Sequence, residues 1–182
     1  MIDPEALLLA TTRFGRYDSR LLDGVIDWLH ANGTRINLQR LRRIHDEWPV
    51  ADLRVLAAIS EGLATQSVMR KWLTLAASAQ EGRTPEPMFL SSAGSPLPVF
   101  QQPDPAFLRH GLLRDPMELR HTSRSPDPRQ AANLLLSLRG LFGVNARSEI
   151  FAWLLTHESG HPAAIARDTG YFSKTVQHTL NE

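Results

Sequence analysis

Two neighbouring segments near the C-terminus carry side chains whose types and spacing are suited to chemistry. The first is the run H-E-S-G-H at residues 157–161. On a continuous helix, two histidines four residues apart lie on one face and bind Zn²⁺, and the glutamate between them acts as a general base. Here Gly160 favours a helix end, and Pro162 disfavours the helical conformation at the residue before it. The two imidazoles are therefore expected to diverge, and an HExxH metalloenzyme is kept as a remote alternative, with no metal ligand assigned.

The second segment is a run of polar side chains around residues 174–182. In the major groove, glutamine and asparagine pair with adenine, lysine pairs with guanine, and serine or threonine reach phosphates or base edges. A surface helix with such residues is suited to reading duplex DNA, although solvated polar residues are also ordinary on any helix surface. The candidate DNA-contacting residues are Arg167, Ser173, Lys174, Thr175, Gln177, His178 and Asn181.

Three helices are expected to position those polar residues. The first, over residues 147–158, is expected to be strongly amphipathic, with a mostly apolar stripe that packs inward. Pro162 suits the first position of a second helix over residues 162–169, because its missing N–H costs nothing there. The stripe of the first helix, at positions i, i+3, i+4 and i+7, consists of Ile150, Trp153, Leu154 and His157.

The turn between the second and third helices has a specific spacing. Ala166, Gly170 and Val176 form the pattern Ala-x3-Gly-x5-Val. The small side chain of Ala166 permits a close helix approach, and Gly170 makes a sharp turn that a Cβ would obstruct. Ser173 is expected to cap the third helix, whose Val176 and Leu180 point into the core. Together these features predict a helix-turn-helix.

Residues 147–155, 161–171 and 173–180 resemble the three-helix core of winged-helix transcription regulators of the ArsR and MarR type. The resemblance covers about a fifth of the chain. It implies a third helix that reads the major groove and a β-hairpin wing that touches the minor groove or the backbone. The sequence ends at Glu182, where the wing should begin, so the expected core lacks most of the wing and a lowered DNA affinity is expected. The cysteine pair of some metal sensors of this type has no counterpart, because the chain contains no cysteine.

The composition is that of an ordinary globular protein. The chain has 182 residues, of which 42% are hydrophobic and 21% charged, enough for one large domain or two small ones. The absence of cysteine excludes disulfides, thiol catalysis and cysteine zinc sites. The apolar run at residues 6–10 is too short for a signal peptide or a membrane span, which predicts a cytoplasmic protein with no membrane partner. No phosphate loop, nucleophile elbow or carboxylate pair stands out, so neither catalysis nor a cofactor is expected.

The charge balance is modest for a protein that binds nucleic acid. The net charge is +1, and residues 129–182 carry five arginines or lysines against four aspartates or glutamates. Neutralisation of phosphates supplies most of the non-specific affinity for DNA. Weak DNA binding by a monomer is therefore expected, and dimerisation would double the local charge.

Residues 1–80 are predicted to form an N-terminal helical domain. Asp18 and Asn37 are expected to cap two of its helices, and further helices are expected at about residues 51–64 and 67–79. An arginine cluster around the helix after Asn37 is expected to face outward as a solvated or salt-bridged surface, in preference to a second phosphate-contacting face. The cluster consists of Arg35, Arg40, Arg42 and Arg43, with Asp46, Glu47 or Asp52 as expected partners.

Residues 81–129 are predicted to form a proline-rich, extended strap. Residues 84–128 hold nine of the twelve prolines, and each proline removes a hydrogen-bond donor and interrupts helices. Short strands are expected at residues 88–90 and 97–100. Because the strap is too apolar for a free linker, it is expected to pack along the helical domains.

Residues 130–144 are predicted to form a connecting and dimerisation helix. Leucines cover so much of its circumference that one core face cannot bury them all. The helix is expected to bridge the N-terminal domain and the module at residues 145–182. It is also expected to pair with its copy in a two-fold homodimer.

The sequence therefore predicts a mostly α fold with a helical domain, a strap, a connecting helix and a winged-helix-like three-helix core. The expected function is a DNA-binding transcriptional regulator, a repressor and not an enzyme, which reads double-stranded DNA with the helix at residues 174–182. The alternative is a protein-interaction module, such as an antitoxin-like partner of a toxic enzyme.

Overall fold

The protein is mostly α-helical, as the sequence predicts, with 61% helix in a computed structural model that describes residues 1–76 and 84–182. Short 3₁₀ turns connect or extend several of the helices. In chain order the elements are α1 (Pro4–Phe14), α2 (Ser19–Asn32), α3 (Leu38–Glu47), α4 (Leu53–Leu63), α5 (Leu73–Ala76), β1 (Glu86–Pro87), α6 (Pro105–Arg109), β2 (Leu112–Leu113), α7 (Leu134–Phe142), α8 (Ala146–Thr156), α9 (Pro162–Thr169) and α10 (Ser173–Leu180).

The described residues divide into two compact units that each combine distant parts of the sequence. The first unit contains Met1–Glu5, Arg35–Glu47 and Ser125–Glu182. The second contains Ala6–Thr34 and Trp48–Arg124. The predicted domain division at residue 80 lies outside the described residues and stays a prediction.

Local signals fixed several helices of the second unit. The Asp18 carboxylate accepts hydrogen bonds from two backbone N–H groups at the start of α2, which confirms the predicted cap. Asp52 caps α4, where its carboxylate accepts a hydrogen bond from the Arg54 N–H at 3.0 Å. The helix predicted at residues 67–79 is instead a 3₁₀ helix, Ser67–Trp72, followed by α5, and its residues 77–79 lie outside the described residues.

The strap pairs differently from the prediction. Its strands are β1 and β2, which pair in parallel with Glu86 opposite Leu112. The strands predicted at residues 88–90 and 97–100 are not formed, and this region shows one isolated bridge, from Leu90 to Pro96. Prolines cannot donate to a ladder, which limits pairing around residues 96–98. The strap does bury apolar side chains, as expected, including Met88 and Leu112.

An ion cluster in the second unit joins α4 to the start of the strap. The Glu86 carboxylate accepts hydrogen bonds from Arg54 at 2.8 Å and Arg16 at 3.1 Å. The hydrogen bond from Arg54 is the main cause that lowers the pKa of Glu86. Asp52 lies 3.2 Å from Arg54 and 3.5 Å from Arg16, so it also belongs to this cluster.

A buried ion network organises the first unit. The Arg139 guanidinium of α7 donates to Glu5 at 2.6 Å and to Glu149 of α8 at 2.8 Å, and all three side chains are almost fully buried. Arg139 also donates to the backbone carbonyl of Arg35 at 2.9 Å, and the Asn37 N–H donates to Glu5 at 2.8 Å. The network therefore joins α7, α8, the N-terminus and the start of α3.

The prediction that the arginine cluster faces outward is wrong for Arg40. Arg40 is largely buried and donates to Asp3 at 2.5–2.6 Å and to Glu5 at 2.7 Å. A buried Glu5 carboxylate requires nearby positive charge, and Arg40 supplies it from α3. Among the expected acidic partners, Glu47 lies 3.6 Å from Arg43. Asn37 caps α3 as predicted, because its side chain accepts the Arg40 N–H at 3.1 Å.

Replacing Arg139 with leucine is expected to lower the free energy of unfolding by about 3–5 kcal/mol, since Glu5 and Glu149 would remain buried with less compensating charge. Urea denaturation of the full chain measures this change. Arg129→Leu is the matched control, because Arg129 is exposed and its solvent-screened pair with Asp127 contributes little to stability. Equal losses in the two variants would contradict the proposed role of the network.

Glu149→Gln is expected to change how stability depends on pH. Burial raises the pKa of Glu149, while the nearby Arg139 acts in the opposite direction. An acid with a raised folded pKa contributes stability below its unfolded pKa and loses that contribution as the pH rises through its folded pKa. The wild-type chain should therefore lose stability relative to Glu149→Gln as the pH rises from about 4 towards neutrality. Urea denaturation across this range tests it, and a constant difference would contradict the raised pKa.

Candidate nucleic-acid interface

Helices α8, α9 and α10 pack around one small apolar core in the first unit. Ala146 and Tyr171 pack at its edge. Tyr171 also receives a hydrogen bond from Asn37 at 3.4 Å, so that α3 contacts the same module. The core consists of Ile150, Trp153, Ile165, Ala166 and Val176.

The turn between α9 and α10 has the predicted form. Helix α9 has the predicted bounds, Pro162–Thr169, and Gly170 follows it with a φ of 77°, in the left-handed region. A Cβ at Gly170 would lie 2.5 Å from Nε of Arg43 and would displace that side chain, but the left-handed conformation is what mainly favours glycine here. Arg43 also donates to the backbone carbonyls of Arg167 and Asp168 at 3.0 and 3.3 Å. A cation at this end of α9 is favourable, because the helix dipole is negative there.

Two predicted details of α10 are wrong. The helix begins at Ser173 itself, and Phe172 is the N-cap residue, with no side-chain cap hydrogen bond. Val176 is fully buried as predicted, whereas Leu180 is 40% exposed because it lies in the last turn, beyond the core cluster.

The predicted DNA-contacting residues lie on the surface of the first unit. Thr175 is half-buried, and Arg167 is exposed on α9. At 100° per residue, the exposed polar residues of α10 and its C-cap fall within an arc of about 140°. This polar arc consists of Ser173, Lys174, Gln177, His178 and Asn181.

Ion pairs neutralise much of the charge around the polar arc. Glu182 pairs with Arg147 and lies 3.2 Å from His178, and Asp168 lies 3.1 Å from Arg167. Lys174 is the only lysine or arginine of α10. The surface is therefore polar but close to neutral, which agrees with the weak basic character seen in the sequence.

The tryptophan of α8 fixes the position of α9. The indole N–H of Trp153 donates to the Asp168 carboxylate at 3.0 Å. This hydrogen bond is the main cause that lowers the pKa of Asp168. Asp168 was not identified from the sequence, because no local pattern links it to a tryptophan fifteen residues earlier.

The H-E-S-G-H run does not form a zinc-binding helix. Helix α8 ends at Thr156 and α9 begins at Pro162, so the histidines lie in the connection between them. The His157 ring stacks on Trp153 with a centroid distance of 4.0 Å. Gly160 also lies against this indole, because a Cβ there would approach it to 2.1 Å. Within residues 1–76 and 84–182, no group of three or more histidines and carboxylates is arranged to hold a metal ion.

The predicted inward stripe of α8 is only half correct. Ile150 and Trp153 are buried, but Leu154 is 41% exposed and His157 lies beyond the helix end. The helix is not strongly amphipathic, because apolar side chains occupy its exposed side as well as its buried side.

A separate cavity of about 540 Å³ lies in the second unit. Its lining includes Tyr17, Phe100 and Arg114. Arg114 is buried, lies over the rings of Phe89 and Phe107, and donates to Asp23 at 2.8 Å. The cavity has the size of many small-molecule sites.

Comparisons with protein-family models, curated proteins and solved structures give no match to this chain. Over the residues that the structure describes, no helix has both the length and the apolar character needed to cross a membrane.

The pair Trp153–Asp168 is expected to stabilise the helix-turn-helix by about 1 kcal/mol, because a buried indole N–H loses its acceptor when Asp168 is replaced. A double-mutant cycle with Trp153→Phe and Asp168→Ala, followed by urea denaturation, isolates this coupling. If the two single changes add in the double variant, the hydrogen bond does not hold α9 in place.

Proposed function

We propose that this chain is a DNA-binding transcriptional repressor that reads the major groove of double-stranded DNA with α10. The polar arc is the observation that carries the proposal, because it is exposed, belongs to the helix after a tight glycine turn, and contains the side chains that pair with base edges. The proposal includes a cytoplasmic location, a homodimer and no enzymatic activity.

The arc offers two kinds of contact. Gln177 and Asn181 are four residues apart, so their amides are neighbours on the outer side of the helix and suit adjacent adenines. Ser173 and Lys174 lie at the N-terminal end, where backbone N–H groups have no side-chain cap. Such N–H groups and the positive end of the helix dipole favour a phosphate oxygen. Base contacts from Gln177 and from the C-cap residue Asn181 are compatible with phosphate contacts at the start of α10.

The same charges set the strength of binding. Arg147 and Arg167 are engaged by Glu182 and Asp168, which leaves Lys174 as the main cation of the arc. Few neutralised phosphates mean a shallow dependence of affinity on salt and weak binding by a single copy. Two copies on a two-fold symmetric operator would combine their contacts.

A protein-interaction module, such as an antitoxin-like partner of a toxic enzyme, is the second candidate. It is favoured by exposed apolar side chains of the same three-helix module, of which Phe172 is 82% exposed and Leu155 is 64% exposed. Large exposed aromatic side chains are common anchors in protein interfaces.

Lys174→Ala and Gln177→Ala are expected to weaken DNA binding in different ways. Duplexes that the chain enriches from a randomised pool serve as probes in fluorescence anisotropy at two salt concentrations. Loss of the Lys174 phosphate contact should weaken binding to all sequences alike and reduce the salt slope by about 1. Loss of Gln177 should cost about 1–3 kcal/mol at one base pair and relax the preference there.

Arg129→Ala and Gln102→Ala are the matched controls, because both residues are exposed and lie outside the arc. They should leave affinity and sequence preference unchanged. If no duplex is enriched, or if the controls weaken binding as much as the arc variants, DNA binding by α10 is excluded and the protein-interaction candidate stands.

A further inference from the structure

Helix α8 is apolar on two sides. Its inner side buries Ile150 and Trp153 in the core. Its outer side leaves Phe151, Leu154 and Leu155 between 41% and 64% exposed. Large exposed apolar side chains that cluster on a surface mark interaction sites. The outer side of α8 therefore has the character of an interface.

The exposed apolar surface continues onto the end of α7. The Phe142 ring stacks on Phe151 with a centroid distance of 5.3 Å, and the preceding Leu141 is 74% exposed. An aromatic pair flanked by leucines resembles the centre of a protein interface, where aromatic side chains are enriched. We refer to the following residues as the outer patch: Leu141, Phe142, Phe151, Leu154 and Leu155.

The charges at the two ends of α8 are opposite. Arg147, in the first turn, is exposed and falls between Leu154 and Phe151 around the helix axis. Glu158 is exposed two residues beyond the other end of the helix, in the connection to α9. A surface with an arginine at one end and a glutamate at the other is complementary to itself when two copies run in opposite directions.

We propose that the outer patch is a self-association surface on which α8 packs antiparallel against α8 of a second copy. A two-fold axis then places Arg147 of each copy opposite the partner's Glu158, while the aromatic and leucine side chains meet between these charges. Arg147 already pairs with Glu182 in its own chain, but a guanidinium has five N–H donors and can donate to a second carboxylate.

A standard interface buries about 800 Å² and roughly 20–30 residues per subunit, which is more than the five residues of the outer patch provide. The outer patch therefore forms the centre of the interface, and Arg147 and Glu158 belong to a polar rim. Rim charges of this kind decide orientation and specificity. The antiparallel arrangement therefore predicts two things: that Arg147 pairs with the partner's Glu158, and that the outer patch is buried.

The outer patch would be the interface of the homodimer that forms part of the proposed function. The proposal rests on that function in one respect, which is that the two α10 helices of the dimer would bind one operator. Self-association is measured without DNA. A dimer that does not bind DNA would contradict the proposed function alone, and a monomer that binds DNA would contradict this inference alone.

The charge pairing is tested by sedimentation velocity on the full chain over a range of concentrations. Arg147→Glu alone and Glu158→Arg alone place like charges opposite each other at both symmetric contacts, so each should weaken self-association at least about tenfold. An equimolar mixture of the two variants restores opposite charges at both contacts. The mixture should therefore form a mixed dimer with nearly the affinity of the unmodified chain.

Arg129→Glu controls for charge reversal at an exposed arginine outside the outer patch, and it should leave self-association unchanged. Failure of the mixture to associate, while the unmodified chain dimerises, would overturn the antiparallel arrangement. Circular dichroism of each variant verifies that the helices remain folded.

The apolar contribution is tested with Leu155→Glu, which should reduce self-association at least about tenfold. Val68→Glu is the matched control, because Val68 is 61% exposed, close to the 64% of Leu155, and lies in the second unit. A chain that remains monomeric at every concentration, or a Leu155→Glu variant that dimerises like the control, would overturn the proposal. Association only with an added protein would assign the outer patch to a different partner.

Discussion

The guanidinium of Arg139, buried between the carboxylates of Glu5 and Glu149, is the interaction on which the first unit depends. A buried charge is tolerated only when it is paired and hydrogen-bonded, and each member of this group meets that condition. The three residues come from the N-terminus, α7 and α8. Their pairing therefore holds together segments that are far apart in the sequence.

A series of contacts connects this network to α10, the candidate DNA-reading helix, and determines where α10 lies in the first unit. Glu149 belongs to the same helix as Trp153, whose indole N–H holds Asp168 at the end of α9. Arg43 from α3 donates to the last carbonyls of α9, and Gly170 then reverses the chain towards α10. The direction of α10 is thus set by side chains from α3 and α8 as well as by its own turn.

The surfaces proposed for DNA and for a second copy have different physical characters. The polar arc of α10 has few net charges, so its binding depends on hydrogen bonds to base edges and on the number of copies engaged. The outer patch is apolar and has opposite charges at its ends. Because α8 contributes its inner side to the core beneath α10 and its outer side to the outer patch, it connects the two surfaces physically.

The sequence by itself determined the features that depend on a few adjacent residues. Pro162 and Gly170 set the bounds of α9 because they restrict or permit backbone angles locally, and Asp18 and Asn37 cap their helices through nearby N–H groups. The mostly α class follows from such signals repeated along the chain.

Only the tertiary structure decided which partners distant residues find. The burial of Arg139 with Glu5, the pairing of β1 with β2 and the exposure of Leu154 all depend on segments brought together by folding. Helical periodicity shows which apolar residues share a side, but it does not show whether another part of the chain covers that side. Long-range charge pairs leave no periodic signal, because their energies depend on burial and distance in three dimensions.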